Sequence, residues 1–417
     1  MQDDFRPSRP LKPVTELKPT PENTEITERT VPFQTPDQIR EHDVLVPEAP
    51  ALTPKDKPRG TGHHWFNLPW PPTRIEILFI AGILLIGIAG ITSYVYLRQP
   101  ADATPVVATK PVKKAPPKPT TIASSLSGLP VAPEVNQRPV VGVMIENSPS
   151  ARPQSGLSQA GVVFEAIAEG GITRFLALFQ DQQPSDVGPV RSARPYYVQW
   201  NEGFRAAYAH VGGSPDALVN IKDWGVQDLN QFYNAGVYHR VSSRPSPHNM
   251  YSSVVDLANL ATQKGFKSEY TGFVRKPAAA SKQPTATSID INISSQAYNP
   301  HYAYDAASNT YQRFESGVPQ MDSTPNTQLH PNVVIAMVVP LSSGGKTAQG
   351  GSYSNYNPIG SGEVFIFQDG VMTTGTWTKT ANTAPITFAD AAGKPILLNP
   401  GQTWISAVTA GAKVVYK

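Results

Sequence analysis

Apolar residues are spread unevenly along this chain, and their spacing changes character from one region to the next. The first block, Ile77 to Leu97 (ILFIAGILLIGIAGITSYVYL), is a run of 21 residues without a charge. At a helical rise of 1.5 Å per residue it reaches about 31 Å, the thickness of a bilayer's hydrocarbon core. Trp65 and Trp70 before it, and Tyr94 and Tyr96 at its end, stand where interfacial aromatic residues border a span. The pattern predicts one transmembrane helix within 76–98.

A second pattern starts near Pro139. Val140 to Ile145 reads as a strand, and Gly161 to Ala168 and Ile172 to Gln180 read as a hairpin joined by Glu169-Gly170-Gly171. Pro195 to Phe204 suits a helix opened by proline. Ala206 to Val211 suits a strand, followed by Gly212-Gly213-Ser214-Pro215 and a short helix ending at Gly225. Val254, Leu257, Leu260 and Ala261 have helical spacing, with Ser252 as a cap and Gly265 as the stop. Beyond residue 270 a polar, proline-bearing stretch (271–288) gives way to alternating runs: 301–305, 310–315, 332–339, 363–368, 371–377 and 402–408. Asp369-Gly370 between two of them is a hairpin signal. The fold class expected is α+β: one transmembrane helix, then a mixed sheet-and-helix N-terminal domain (139–270), a linker (271–288) and a smaller strand-rich C-terminal domain (289–417).

Composition accounts for the rest of the chain. Many of the 42 prolines fall in the first 140 positions. Residues 1–75 mix charge with proline and cannot bury enough surface to offset ordering, so a disordered tail is expected. Residues 99–138 are rich in Pro, Ala, Thr and Lys and read as an extended stalk. The net charge of +3 gives no overall attraction to polyanions such as nucleic acid. Cysteine is absent, which excludes disulfides, thiolate chemistry and a lipid anchor on cysteine. Lysine and arginine are nearly balanced on the two sides of the span, so charge leaves its orientation open.

Four groups of residues could carry chemistry. In Gly188-Pro189-Val190-Arg191-Ser192-Ala193-Arg194-Pro195, the residue before proline is pushed out of helical geometry, so Arg191, Ser192 and Arg194 flank the first turn of a helix. That is either an anion site or a set of ordinary ion pairs. Gly212, Gly213 and Ser214 allow close backbone approach to a ligand, or simply cap the next helix. Arg240, Arg244, His248 and Asn249 lie in the densest cationic stretch, which reads equally as a basic loop. Two histidines without a nearby carboxylate give no metal site, and no cofactor is expected. Strand alternation places Glu165 and Glu169 on one face with Arg174 opposite, an ion pair by default. Glu165 and Glu169 are also the candidate general bases.

Val141-Gly142-Val143-Met144-Ile145-Glu146-Asn147, Glu169 to Phe175, Gly188 to Arg194, Pro247 to Tyr251, Phe367 to Gly370 and Leu398 to Trp404 together resemble the YerB-like family of bacterial envelope proteins, best known as predicted lipoproteins of unassigned function. The resemblance spans about 138–408. It implies two domains outside the cytoplasm and an N-terminus inside it, with the span at 77–97 replacing the missing anchoring cysteine. The order of motifs is also similar to the LytR-CpsA-Psr phosphotransferases, in which arginines hold the pyrophosphate of a lipid-linked glycan. That likeness implies a diphosphate held by Arg191, Arg194, Arg240 and Arg244, with magnesium. Two readings follow: a binding or scaffold module for cell-wall polymer or an envelope protein, or a phosphate-directed enzyme acting on lipid-linked or wall glycan.

Overall fold

The computed structural model describes residues 74–97, 120–347 and 352–417. The expected tail up to residue 73 and the stalk up to residue 119 lie outside those residues. The chain divides into two units, Met1–Pro111 and Val112–Lys417. In the first, Arg74–Leu97 is a 24-residue helix, α1. Its apolar side chains are open, with Ile86 75% and Leu97 84% exposed. Among the described residues no helix is long and apolar enough to cross a membrane. Side chains of α1 are described only for 81–94 and 97, fewer than a bilayer crossing needs.

Order in the second unit begins earlier than composition suggested. Ile122–Ala123 pairs with Pro130–Val131, and Leu126 is buried. The hydroxyls of Ser124 and Ser127 both donate to Asp181. The last part of the expected stalk is therefore held to the folded body by side chains that composition alone does not single out.

The unit is built on one large sheet. Its first half supplies β1 (Val141–Glu146), β2 (Val162–Glu169), β3 (Ile172–Phe179), α2 (Pro195–Glu202), β4 (Ala207–Ala209), α3 (Pro215–Asp223) and α4 (Val254–Gln263). The second half adds β5 (Ser288–Ile291), β6 (Pro300–Asp305), β7 (Thr310–Glu315), β8 (Val333–Val338), β9 (Gly360–Gln368), β10 (Val371–Lys379), β11 (Thr387–Ala389), β12 (Thr403–Val408) and β13 (Val414–Tyr416). The large sheet runs β11-β10-β9-β8-β12-β2-β3-β1-β4, with Ser352–Tyr356 also pairing to β2. β12 lies parallel to both β8 and β2, with Ile405 opposite Ile335 and Phe164. The two expected domains thus share a single sheet, joined through a strand contributed by the C-terminal half. β5, β6, β7 and β13 form part of a second, five-stranded sheet.

Apolar side chains pack on both faces of the large sheet. On one, Met144, Phe164 and Leu176 meet Tyr196, Trp200 and Ala217 of α2 and α3. On the other, Val143, Phe175 and Trp404 meet Leu257 of α4 and Ile289, Tyr302 and Tyr311 of the second sheet. Trp377 and Trp404 are core residues. Ser253, one residue later than expected, caps α4 by accepting from the Asp256 N–H. The expected linker is also fastened: Leu398 N–H donates to Val274 O, Lys276 N–H to Leu398 O, and Arg275 Nη1 reaches Asn399 O at 2.7 Å. Its polar composition reflects side chains that bond to the C-terminal half.

Candidate functional site

The loop before α2 and the 244–249 loop converge at the end of β1, beside Glu146. Pro195 opens α2 as its spacing implied, and Arg194 before it is extended, with φ −134° and ψ 150°. The Arg194 guanidinium donates to one oxygen of Glu169, and Arg174 donates to the other. Arg194 also lies 4.9 Å from the centre of the Tyr353 ring. Arg174 is almost fully buried and donates to the Ser192 carbonyl at 2.9 Å. Burial first, and then the charge of Arg194, lowers its pKa to about 10, with Arg191 adding to the effect and Glu169 opposing it. Two arginines sharing one carboxylate leave a net charge of +1, but both guanidinium groups are already tied to protein oxygens.

Alternation placed Glu165 and Glu169 on one face, and the structure corrects this. Ile167 is opposite Thr173, but Glu169 is opposite Ile172, so β2 carries an extra residue between them. This bulge reverses the side-chain alternation. Glu169 faces the arginines, whereas Glu165 turns to the other face and is fully buried. There both Glu165 oxygens accept from Arg313 Nη2, at 3.0 and 3.2 Å, and Trp404 Nε1 donates at 3.0 Å. Burial alone would lower the Arg313 pKa, but Glu165, Tyr302 and Glu315 together outweigh it and raise it. Glu315 also lies beside Arg313, and burial pushes its pKa up to about 7. Glu165 is thus half of a core ion pair, 148 residues from its partner, and is not placed to act as a general base.

The remaining motif residues form a second group. His248 Nδ1 lies 2.9 and 3.0 Å from the two oxygens of Glu146, and Ser148 Oγ donates to Glu146 Oε1 at 2.8 Å. Arg191 Nε lies 3.2 Å from Glu146 Oε2, with its side chain 23% exposed. The carboxylate sets Nδ1 as the protonated nitrogen, and Nε2 has no partner among the described residues. Ser148 is on the Nδ1 side and donates to the carboxylate, so the three do not form a nucleophilic triad.

The four arginines of the expected diphosphate cradle are not gathered. Arg191 and Arg194 are near each other, but Arg240 donates to Asn249 Oδ1 at 2.6 Å. Arg244 donates to the carbonyls of Ser150, Arg152 and Pro153. Its loop is tied to the backbone instead of facing the Arg194 side. Among the described residues no three or more His, Asp or Glu side chains are placed to hold a metal ion.

Gly212 and Gly213 make room for the protein's own side chains. A Cβ on Gly212 would lie 3.2 Å from the Phe232 ring, and one on Gly213 would lie 3.1 Å from Leu218 and 3.2 Å from Ala193. Ser214 precedes α3 without capping it, and its hydroxyl is buried without a hydrogen-bond partner. Phe232 and Tyr233 were not singled out by the sequence reading. They are 70% and 82% exposed on a turn fixed from beneath. Asn230 Oδ1 accepts from the N–H groups of Gly212 and Phe232, and Asp228 Oδ1 accepts from Asn230 N–H and lies 2.9 Å from His210 Nε2. Two open rings on a buried polar support are the signal that alternation could not give.

Comparison with known proteins places this architecture. The family described as protein of unknown function (DUF3048), N-terminal domain, matches residues 126–267, and its C-terminal domain matches 289–405. "Putative lipoprotein YerB" of Bacillus subtilis (strain 168) is 31% identical over 315 residues, covering 74% of this chain and 90% of that protein. The crystal structure of YerB from Bacillus subtilis aligns with a TM-score of 0.62 at 31% identity, covering 70% of this chain and 99% of that one.

Proposed function

Because the chain belongs to the DUF3048 family and is a homologue of YerB, we propose that it is an extracytoplasmic envelope protein that binds a cell-wall polymer. The helix Arg74–Leu97 would anchor it as a single-pass protein with the N-terminus cytoplasmic. The name of the Bacillus relative as a lipoprotein supports a membrane-associated envelope location. The uncharged 77–97 run and the open apolar side chains of α1 support the anchor, since no cysteine is available for a lipid.

One observation carries the binding reading. Phe232 and Tyr233 are held out in solvent by a rigid turn, and exposed apolar groups on a fixed support mark contact sites. Their ring faces suit the C–H faces of sugars, and Arg191 and His248 offer polar contacts at the neighbouring loop. The arginines favour binding over phosphoryl transfer, because the protein's own carboxylates and carbonyls already occupy them. No magnesium or other cofactor is invoked.

Co-sedimentation with isolated, protein-free cell walls tests the reading. Wild-type chain should pellet with the walls, and the Phe232→Ala/Tyr233→Ala variant should stay largely in the supernatant. Failure of the wild type to pellet would sink it. Protease added to intact cells should cut near Lys113–Lys114; a cut seen only after lysis would reverse the topology.

A further inference from the structure

Outside the site just described, Lys276, Asp369 and Asn399 meet at the turn between β9 and β10. Lys276 Nζ is 2.5 Å from Asn399 Oδ1 and also donates to Asp369 Oδ2. Asn399 Nδ2 donates to Asp369 Oδ1 at 2.7 Å. One carboxylate therefore touches both an amine and the carboxamide beside that amine. We propose that Lys276 and Asn399 become joined by an intramolecular isopeptide bond, with Asp369 carrying the protons.

The surroundings hold the three groups for that reaction. Asn399 is completely buried and Asp369 is 7% exposed. The Asn399 N–H donates to Gln368 Oε1 at 2.8 Å, and its carbonyl accepts from Arg275 Nη1 at 2.7 Å, so the residue is fixed at both ends of its backbone. Lys276 lies on a segment that runs beside Leu398 through backbone hydrogen bonds. Asp369 is held by Asn309 Nδ2 at 2.8 Å and the Ala279 N–H at 3.2 Å. Burial would raise its pKa, but the hydrogen bonds from Asn309, Lys276 and Asn399 prevail and hold it below the usual carboxylate range. Fixed contact of this kind supplies the effective concentration that an amine and an amide lack in solution.

The chemistry balances without an oxidant or cofactor. Asp369 takes a proton from the Lys276 ammonium, and the free amine adds to the Asn399 carboxamide carbon. The Nζ–C bond forms, Asp369 relays that proton and the second one shed by Nζ to Nδ2, the C–Nδ2 bond breaks, and the nitrogen leaves as ammonium. Because the resting state is an ion pair, the first proton transfer is uphill and the bond matures after folding. The product closes a loop of 123 residues in a chain with no cysteine for a disulfide. It locks the 271–276 segment to the C-terminal half.

Intact mass of the full-length purified chain, incubated at neutral pH and then denatured, tests this. The expected mass is below the sequence mass by one ammonia, about 17 Da. Cyclisation of Gln2 after removal of Met1 gives the same loss, so a peptide map must assign it. The map should contain a branched peptide joining the Lys276 segment to the Asn399 segment. Lys276→Arg keeps the charge but removes the nucleophile, and Asp369→Asn keeps the shape but removes the proton carrier; neither should yield the branched peptide. Recovery of the two wild-type segments as separate peptides after long incubation would overturn the proposal, leaving an ordinary ion pair only.

Discussion

Replacing Arg313 by Met removes the cation that holds Glu165 in the space between the two sheets. Both side chains are completely buried, and the guanidinium also lies 4.3 Å from the Trp404 ring centre. Trp404 Nε1, the Thr173 hydroxyl and the Ser406 hydroxyl would still reach Glu165, but none of them supplies a positive charge. Breaking a buried pair from one side costs about 3–5 kcal/mol, because it strands the other charge. That is a large share of the roughly 5–15 kcal/mol by which a domain is stable. The double variant Arg313→Met/Glu165→Gln leaves no charge stranded and should recover most of the loss. Urea unfolding of a chain beginning at residue 112, followed by tryptophan fluorescence, measures both, with Trp404 as a local probe. A loss below about 1 kcal/mol in the single variant would refute the assignment of this pair as the core charge lock. So would a double variant as unstable as the single.

The pH dependence follows from Glu315. Its folded pKa of about 7 lies above the ordinary 4.5, so the native state binds more protons over that window. Stability from this group is complete below about pH 4.5 and is lost as pH rises toward 7, by about 3 kcal/mol in total. Glu315→Gln should flatten the slope in urea titrations across that range, and an unchanged slope would assign the proton elsewhere. Arg194→Gln should destabilise the fold by about 1–3 kcal/mol by stripping Glu169 of a buried partner; no loss would mark Arg194 as available to a ligand. Limited proteolysis should spare 271–288, since Arg275 and Lys276 bind it to 398–399 and Asp369, and early nicking there would contradict that fastening.

Local elements were legible in the sequence. The β2–β3 hairpin, the Asp369-Gly370 turn, α4 and the proline-opened α2 all follow from alternation, turn chemistry or capping. What escaped is long-range. β12 inserts in parallel between β2 and β8, a pairing that no local pattern specifies, so the sheet that runs through both halves was not legible. At the site, Arg191 and Arg194 stand out from the Arg-Pro helix start, and Glu169 is one of two carboxylates legible as their ion-pair partner; Glu146 as the partner of Arg191 is not. The bulge at Ala168 sends Glu165 and Glu169 to opposite faces, and a strict period of two cannot register an extra residue. Glu146 and His248, 102 positions apart, meet where the 244–249 loop folds over the end of β1, and Glu165 and Arg313, 148 apart, meet because the second sheet packs on the large one.

The central claim is that the arginines of 191–194 are committed to Glu146 and Glu169 and support a binding surface. Calorimetric titration of the wild-type chain with inorganic pyrophosphate, with and without magnesium, tests it directly. The account predicts no saturable heat up to millimolar ligand, because the guanidinium groups are already tied to Glu146 and Glu169. Saturable binding that tightens with magnesium and disappears in Arg194→Gln would contradict it and restore the phosphate-directed reading.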